Sequence, residues 1–181
     1  MNIHRLLGAF RDYAGFGPGI VVSLVISLMA CGYVSRAMRI SRAHAWALAM
    51  SLGVVLSATI TPSREAILFG TQGSGTCDLG RIGLASWWEL RHLDDASLNI
   101  LLFAPLGIFI ALCPRSRAKA IVLAGAFVLP ASIELFQLVA VALDRKCQSA
   151  DVFDNLTGLL RGLVGGAMAG WLAAAVYRRS R

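Results

Sequence analysis

Charge is scarce in this chain: Asp, Glu, Lys and Arg make up 15% of its 181 residues, against 57% hydrophobic, and the mean hydropathy is +0.68. A soluble domain of this length needs more charge to cover its surface, so lipid is the expected solvent for the surplus apolar side chains. Histidine is also sparse, with only His4, His44 and His92, dispersed along the chain. The four cysteines form no C-x-x-C pair, so no metal site and no cofactor are expected. No Ser/His/Asp constellation is present. The formal charge of +7 comes without a basic stripe or a nucleic-acid motif, which argues against nucleic acid as a partner. No A-x-A-like cleavage site separates the apolar run Val21 to Val34 from Arg36, Arg39 and Arg42. A retained first span is therefore favoured over a cleaved signal peptide.

What is present is a series of apolar runs punctuated by basic residues. Met1 to Tyr13 carries Ile3, Leu6, Leu7 and Phe10 on one helical stripe and reads as a short interfacial helix. Five runs of membrane-crossing length follow: Gly17 to Ser35, Ala45 to Pro62, Ala96 to Cys113, Ala120 to Leu143 and Val152 to Tyr177. Backbone satisfaction in hydrocarbon makes helices the expected form. The expected fold is thus an all-α integral membrane bundle of about five transmembrane helices. Its divisions are 1–44 (interfacial helix and first span), 45–177 (main transmembrane domain) and 178–181 (basic tail). A polar stretch, Ser63 to Asp95, separates the second and third spans.

Arg36, Arg39 and Arg42 lie between spans one and two, Arg115, Arg117 and Lys119 between three and four, and Arg178, Arg179 and Arg181 after five. The positive-inside rule then predicts a cytoplasmic C-terminus and an N-terminus outside. A re-entrant or cleaved first segment would leave four spans in the same orientation. With this topology Cys77 and Cys147 share the oxidising side, as either a disulfide between the outer loops or a pair of free thiols. Cys31 and Cys113 fall within or at the inner ends of spans.

Polar groups stand where lipid penalises them. Asn99 opens span three, while Glu134 and Gln137 share a face of span four at i, i+3. Asp151 and Asn155 share a face at the start of span five, and Arg161 follows Asp154 by two turns. Counting from the outer ends puts Glu134 and Arg161 at a similar depth of roughly 14 Å. This predicts a buried Glu134–Arg161 ion pair, with Asp154 and Gln137 nearby and Asn99, Asp151 and Asn155 lining a mouth above it. Such residues either glue helices together or build a site for a ligand. Asp151 also suits a helix's first turn. The Asn155-Leu-Thr157 sequon lies inside the helix start and is not expected to be modified.

Gly158, Gly162, Gly166 and Gly170 repeat every four residues on span five, with Gly165 and Ala169 beside them, a stripe for close helix approach within the chain or with another copy. Trp46, Trp171 and Tyr177, and Trp87 with Trp88 on a half-buried outer helix, read as interface anchors.

Three ordered motifs now resemble a known family. They are Asn99-Ile-Leu-Leu-Phe-Ala-Pro-Leu-Gly107, Ser132-Ile-Glu134-Leu-Phe-Gln137, and Asp151 to Asn155-Leu-Thr157-Gly158. Together they are similar to the VanZ-like pattern of an Asn-x-x-x-Phe-x-Pro-x-Gly helix, an Ile-Glu-x-x-Gln helix and an Asp-x-x-x-Asn-Thr-x-Gly helix. Leu156 intervenes between Asn155 and Thr157, a departure from the last motif. The likeness covers Ala45 to Tyr177, so the first span looks like an addition to a four-helix core. The His-bearing acidic motif that some members carry after the first core helix is not evident. The resemblance implies a bacterial plasma-membrane protein of the cell envelope, and a role in susceptibility to teicoplanin, a lipidated glycopeptide; it implies no reaction.

Three function classes follow. The first is a non-enzymatic protein that binds or excludes a ligand at its outer face, with membrane lipids, a lipid-linked wall precursor or a lipoglycopeptide as partners. The second is an intramembrane enzyme on a lipid substrate, with Glu134 as acid or base, Asp151 or Asp154 beside it, and Asn99 or Gln137 orienting the substrate. A small transporter has little support, since no inverted repeat is detectable.

Overall fold

A computed structural model of the chain describes residues 16–86 and 95–180. The expected interfacial helix at 1–13, the Trp87–Trp88 pair, His92 and Arg181 lie outside the described residues. In chain order the elements are α1 (Phe16–Met38), α2 (Arg42–Thr59), α3 (Arg64–Phe69), β1 (Cys77–Asp78), α4 (Asp95–Leu112), α5 (Arg117–Val139), a 3-10 turn (Val141–Leu143), β2 (Cys147–Gln148) and α6 (Ser149–Arg179). Among the described residues helix dominates, at 78%.

Among the described residues four helices, α1, α4, α5 and α6, are long and apolar enough to cross a membrane. The second expected span is a helix of 18 residues, α2, but it begins at Arg42 and includes His44, so it is less apolar than the others. The apolar side chains turn outward as much as inward. Val21, Ile26 and Met29 of α1 are 60%, 59% and 80% exposed, the pattern of a helix whose solvent is not water.

Local chemistry sets the helix limits. Pro18 sits in the first turn of α1, where its missing N–H costs nothing. Ser41, Ser63 and Ser116 cap α2, α3 and α5, each hydroxyl accepting a backbone N–H three residues on. Gly70, at φ +66°, ends α3 in the left-handed conformation. At the C-terminal end of α4, Lys119 Nζ donates to the carbonyls of Ala111 and Cys113, both at 2.8 Å.

Two helix pairs carry the packing. α1 lies along α2 on a small-residue seam, where Ser23 Oγ donates to Gly53 O at 3.1 Å and lies 3.1 Å from Ser57 Oγ. α4 and α6 form the tightest pair. Their contact is nearly backbone on backbone: a Cβ on Gly158 would meet the Ile100 carbonyl, one on Gly162 the Ala104 carbonyl, and one on Gly107 the Leu159 carbonyl. The glycine stripe of α6 is thus filled within the chain by Gly158, Gly162 and Gly166 against α4. Phe103, Leu106, Ile110 and Leu159 form the core between them. α2 is tied to α4 by His44 Nε2, 2.8 Å from Phe109 O.

The stretch between α2 and α4 is not a plain loop, since it holds α3 and β1. β1 pairs in parallel with β2, Cys77 opposite Cys147 and Asp78 opposite Gln148. Cys77 and Cys147 are disulfide-bonded, with Cα atoms 4.5 Å apart. Gly73 N donates to Val141 O and Ser63 N to Leu143 O, so the α2–α4 and α5–α6 connections are hydrogen-bonded into one cap. Cys31 and Cys113 are free thiols.

Candidate functional site

α5 packs against α6 and makes little contact with α4. A gap therefore opens among α2, α4, α5 and α6, closed at one end by the disulfide-bonded cap. It is a cavity of about 640 Å³, within the range of small-molecule sites. Its lining combines two chemistries: Val54, Leu98, Leu101, Leu102 and Pro105, from α2 and α4, are its apolar part, and Asn99, Glu134, Gln137, Asp151 and Asn155, mostly from α5 and α6, are its polar part. α1 contributes nothing to it.

The polar side is held in place by its own hydrogen bonds. Glu134, buried on α5, accepts Gln148 N at its Oε2 at 2.7 Å. That link runs from the helix to the residue after Cys147, so the disulfide and the β bridge position the donor. One turn on, Gln137 Nε2 donates to Thr59 O at 2.9 Å, spanning to the end of α2. The Asn99 side chain hydrogen-bonds to the Asp151 carboxylate, whose charge also lies within electrostatic reach of Glu134. Asn155, one turn further into α6, is 1% exposed, and its Oδ1 has no hydrogen-bond partner.

Five of the residues singled out from the sequence, Asn99, Glu134, Gln137, Asp151 and Asn155, thus line one cavity. Two do not. Asp154 and Arg161 stand on another stripe of α6 that also carries Thr157, the segment 81–85 lying along it. Asp154 forms an ion pair with Arg81, whose guanidinium also donates to Ala150 O. Ala85 N donates to Thr157 Oγ1 at 3.0 Å, and Arg161 donates to Ala85 O at 3.1 Å.

The expected Glu134–Arg161 ion pair is not formed, for two reasons. α5 ends at Val139 and α6 begins at Ser149, so Glu134 lies five residues from its helix end and Arg161 twelve from its own, about 8 and 18 Å. Arg161 also follows Asn155 by six residues, which rotates it about 120° away from the cavity face. It lines a separate cavity of about 260 Å³ with Leu84, Ala85 and Thr157.

Several participants carry no periodic sequence signal. Asp95, at the start of α4, and Glu65, in α3, bring further carboxylates to the cavity wall. Asp144, in the left-handed conformation at φ +51°, accepts hydroxyls from Ser63 and Thr71 at 3.0 and 2.7 Å. Arg145 donates to Thr61 O and Ala58 O at 3.0 and 2.9 Å, satisfying carbonyls at the end of α2. An unpaired acidic residue on a short connection carries no periodic signal, and only the charge of these residues marked them. No group of His, Cys, Asp and Glu among the described residues has the geometry to hold a metal ion.

The arrangement can receive a molecule with a polar end and an apolar end, and it holds two neighbouring carboxyl side chains, Glu134 and Asp151. A family model described as VanZ/LLP1 matches residues 78–175, which include every polar residue of this cavity from Asp95 to Asn155. No curated protein and no solved structure matches the chain. The four apolar helices and the family match together point to a multi-pass membrane protein. With more than half of its length matched, and with the Asn99, Glu134 and Asp151 helices converging on one cavity, the chain belongs to the VanZ/LLP1 family.

Proposed function

We propose that this chain is a plasma-membrane protein of the bacterial envelope that binds an amphiphilic ligand at its outer face and lowers susceptibility to lipidated glycopeptides. The single observation that carries the reading is the two-sided cavity, which joins Asn99, Glu134 and Asp151 from three helices to an apolar wall. In this reading α1, α2, α4, α5 and α6 all span the bilayer, with the N-terminus outside and the C-terminus cytoplasmic. The basic residues support that orientation: Arg39, Lys119 and Arg178 belong to the helix ends away from the cap that holds the disulfide. The cavity then lies on the cap side of the bilayer, at the level of the leaflet where lipid-linked wall precursors and lipidated antibiotics reside.

The test is deletion of the gene followed by teicoplanin and vancomycin susceptibility. Deletion is expected to sensitise cells to teicoplanin more than to vancomycin. Wild-type protein should restore resistance, and Glu134→Leu at equal membrane abundance should not. Unchanged susceptibility to both drugs, with envelope lipids also unchanged, would sink the reading.

One observation favours a second reading, an intramembrane enzyme on a lipid-linked substrate: two carboxyl side chains, Glu134 and Asp151, line the same cavity, as a general acid–base pair requires. Glu134→Gln separates the two. It keeps the hydrogen bond from Gln148 N and removes proton transfer, so full complementation by this variant excludes the enzyme and leaves the binding protein.

A further inference from the structure

We propose that the cavity recognises a cationic amine on the head of its amphiphile, held by Asp151, Glu134 and Asn155, with the chain lying on Leu98, Leu101 and Leu102. The inference rests on the reading of the cavity as an amphiphile site and adds the chemistry of the head.

Three donors on the polar side already have protein acceptors. Gln148 N is spent on Glu134, Gln137 Nε2 on Thr59 O, and the Asn99 amide on Asp151. The Arg145 guanidinium is turned to the carbonyls of Ala58 and Thr61. The acceptor capacity left on the wall is large: the second oxygen of Glu134, the rest of the Asp151 carboxylate and the Oε1 of Gln137.

Asn155 Oδ1 is the decisive atom. It is an acceptor in a residue 1% exposed, on the cavity wall one turn beyond Asp151, and nothing donates to it. A buried acceptor without a donor costs free energy, and a ligand that brings N–H groups removes the cost. An ammonium supplies three donors and no acceptor, the complement of this surface. A phosphate offers only acceptors and would meet carboxylates.

Charge agrees with the inventory. Five carboxylates line the cavity, Glu65, Asp95, Glu134, Asp144 and Asp151, against two cations, Arg145 and Lys146. Lys146 is exposed and stands on the connection leading to β2, on the cavity wall. It suits the phosphate of a zwitterionic head whose amine has gone deeper.

The experiment measures lipid binding to the purified full chain by native mass spectrometry and thermal shift. Dioleoyl phosphatidylethanolamine is compared with dioleoyl phosphatidylglycerol, which has the same chains and no amine, and with soluble ethanolamine. The ethanolamine lipid should bind about tenfold tighter than the glycerol lipid, the worth of one charge-assisted hydrogen bond. Asp151→Asn and Asn155→Leu should each abolish that preference, bringing the two lipids to equal affinity. If Asn155→Leu does not fold, Asn155→Asp serves in its place and should sharpen the preference.

Equal affinity for the two lipids overturns the amine and leaves the amphiphile site standing. Binding of neither lipid overturns both. Soluble ethanolamine competing as well as the ethanolamine lipid overturns the amphiphile and makes the ligand a free amine.

Discussion

Gly162→Ala is expected to destabilise the protein by about 1–3 kcal/mol, although it adds one methyl group to a helix. The new Cβ would sit against the carbonyl of Ala104, whose carbon is 2.9 Å from that position, so the backbone of α4 itself must shift. Gly165→Ala, on the same helix three residues on, meets nothing within 4 Å. It should be neutral or mildly stabilising, because alanine favours the helix over glycine by about 1 kcal/mol. Thermal unfolding of the two variants in one detergent checks the contrast, and Gly162→Leu should yield no folded protein. Equal melting of the two alanine variants would mean that α4 and α6 do not touch as described.

The second large effect is at Arg81. The Asp154 side chain is 2% exposed and has Arg81 as its ion-pair partner, while its other oxygen has no hydrogen bond. Arg81→Met leaves a carboxylate buried without compensation, and a loss of about 3–5 kcal/mol is expected. Asp154→Leu in the same background should recover much of it, because the double variant buries no charge. A double-mutant cycle by thermal unfolding reads the coupling, which should exceed about 1 kcal/mol. Additive single effects would show that Asp154 finds its compensation elsewhere. Neither residue lines the main cavity, so ligand binding should survive in the double variant.

The helices were legible because run length and basic punctuation encode them directly. Gly17 to Ser35 became Phe16–Met38, and Ala96 to Cys113 became Asp95–Leu112. The fourth run was misjudged at its end: Ala140 to Leu143 is apolar, but the helix stops at Val139 and a 3-10 turn takes over. That early stop also undid the depth argument for Glu134. The polar residues that share a cavity were legible where helical spacing links them, as with Glu134 and Gln137, or Asp151 and Asn155.

Depth along a helix says nothing of azimuth, and azimuth is what separates Arg161 from Glu134. The seven-residue spacing of Asp154 and Arg161 did put them on one stripe, but its partner is the segment carrying Arg81. Arg81 lies 73 residues before Asp154, in an irregular segment with no period to reveal its direction. Arg145 and Asp144 were hidden in the same way. Their side chains close the cap through hydroxyls and carbonyls that a sequence does not place.

The bond between Cys77 and Cys147 has a mechanical consequence. It closes a covalent ring of the chain that holds the whole of α4 and α5, and with them Asn99, Glu134 and Gln137. Tension applied at the two termini bypasses that ring, because it passes from Cys77 to Cys147 directly. A machine that extracts the protein for degradation from its C-terminus unravels α6 first and then meets a loop of 70 residues that cannot be threaded as a single strand. Until that bond is cut, two of the three walls that present the cavity's polar groups travel as one closed loop of chain.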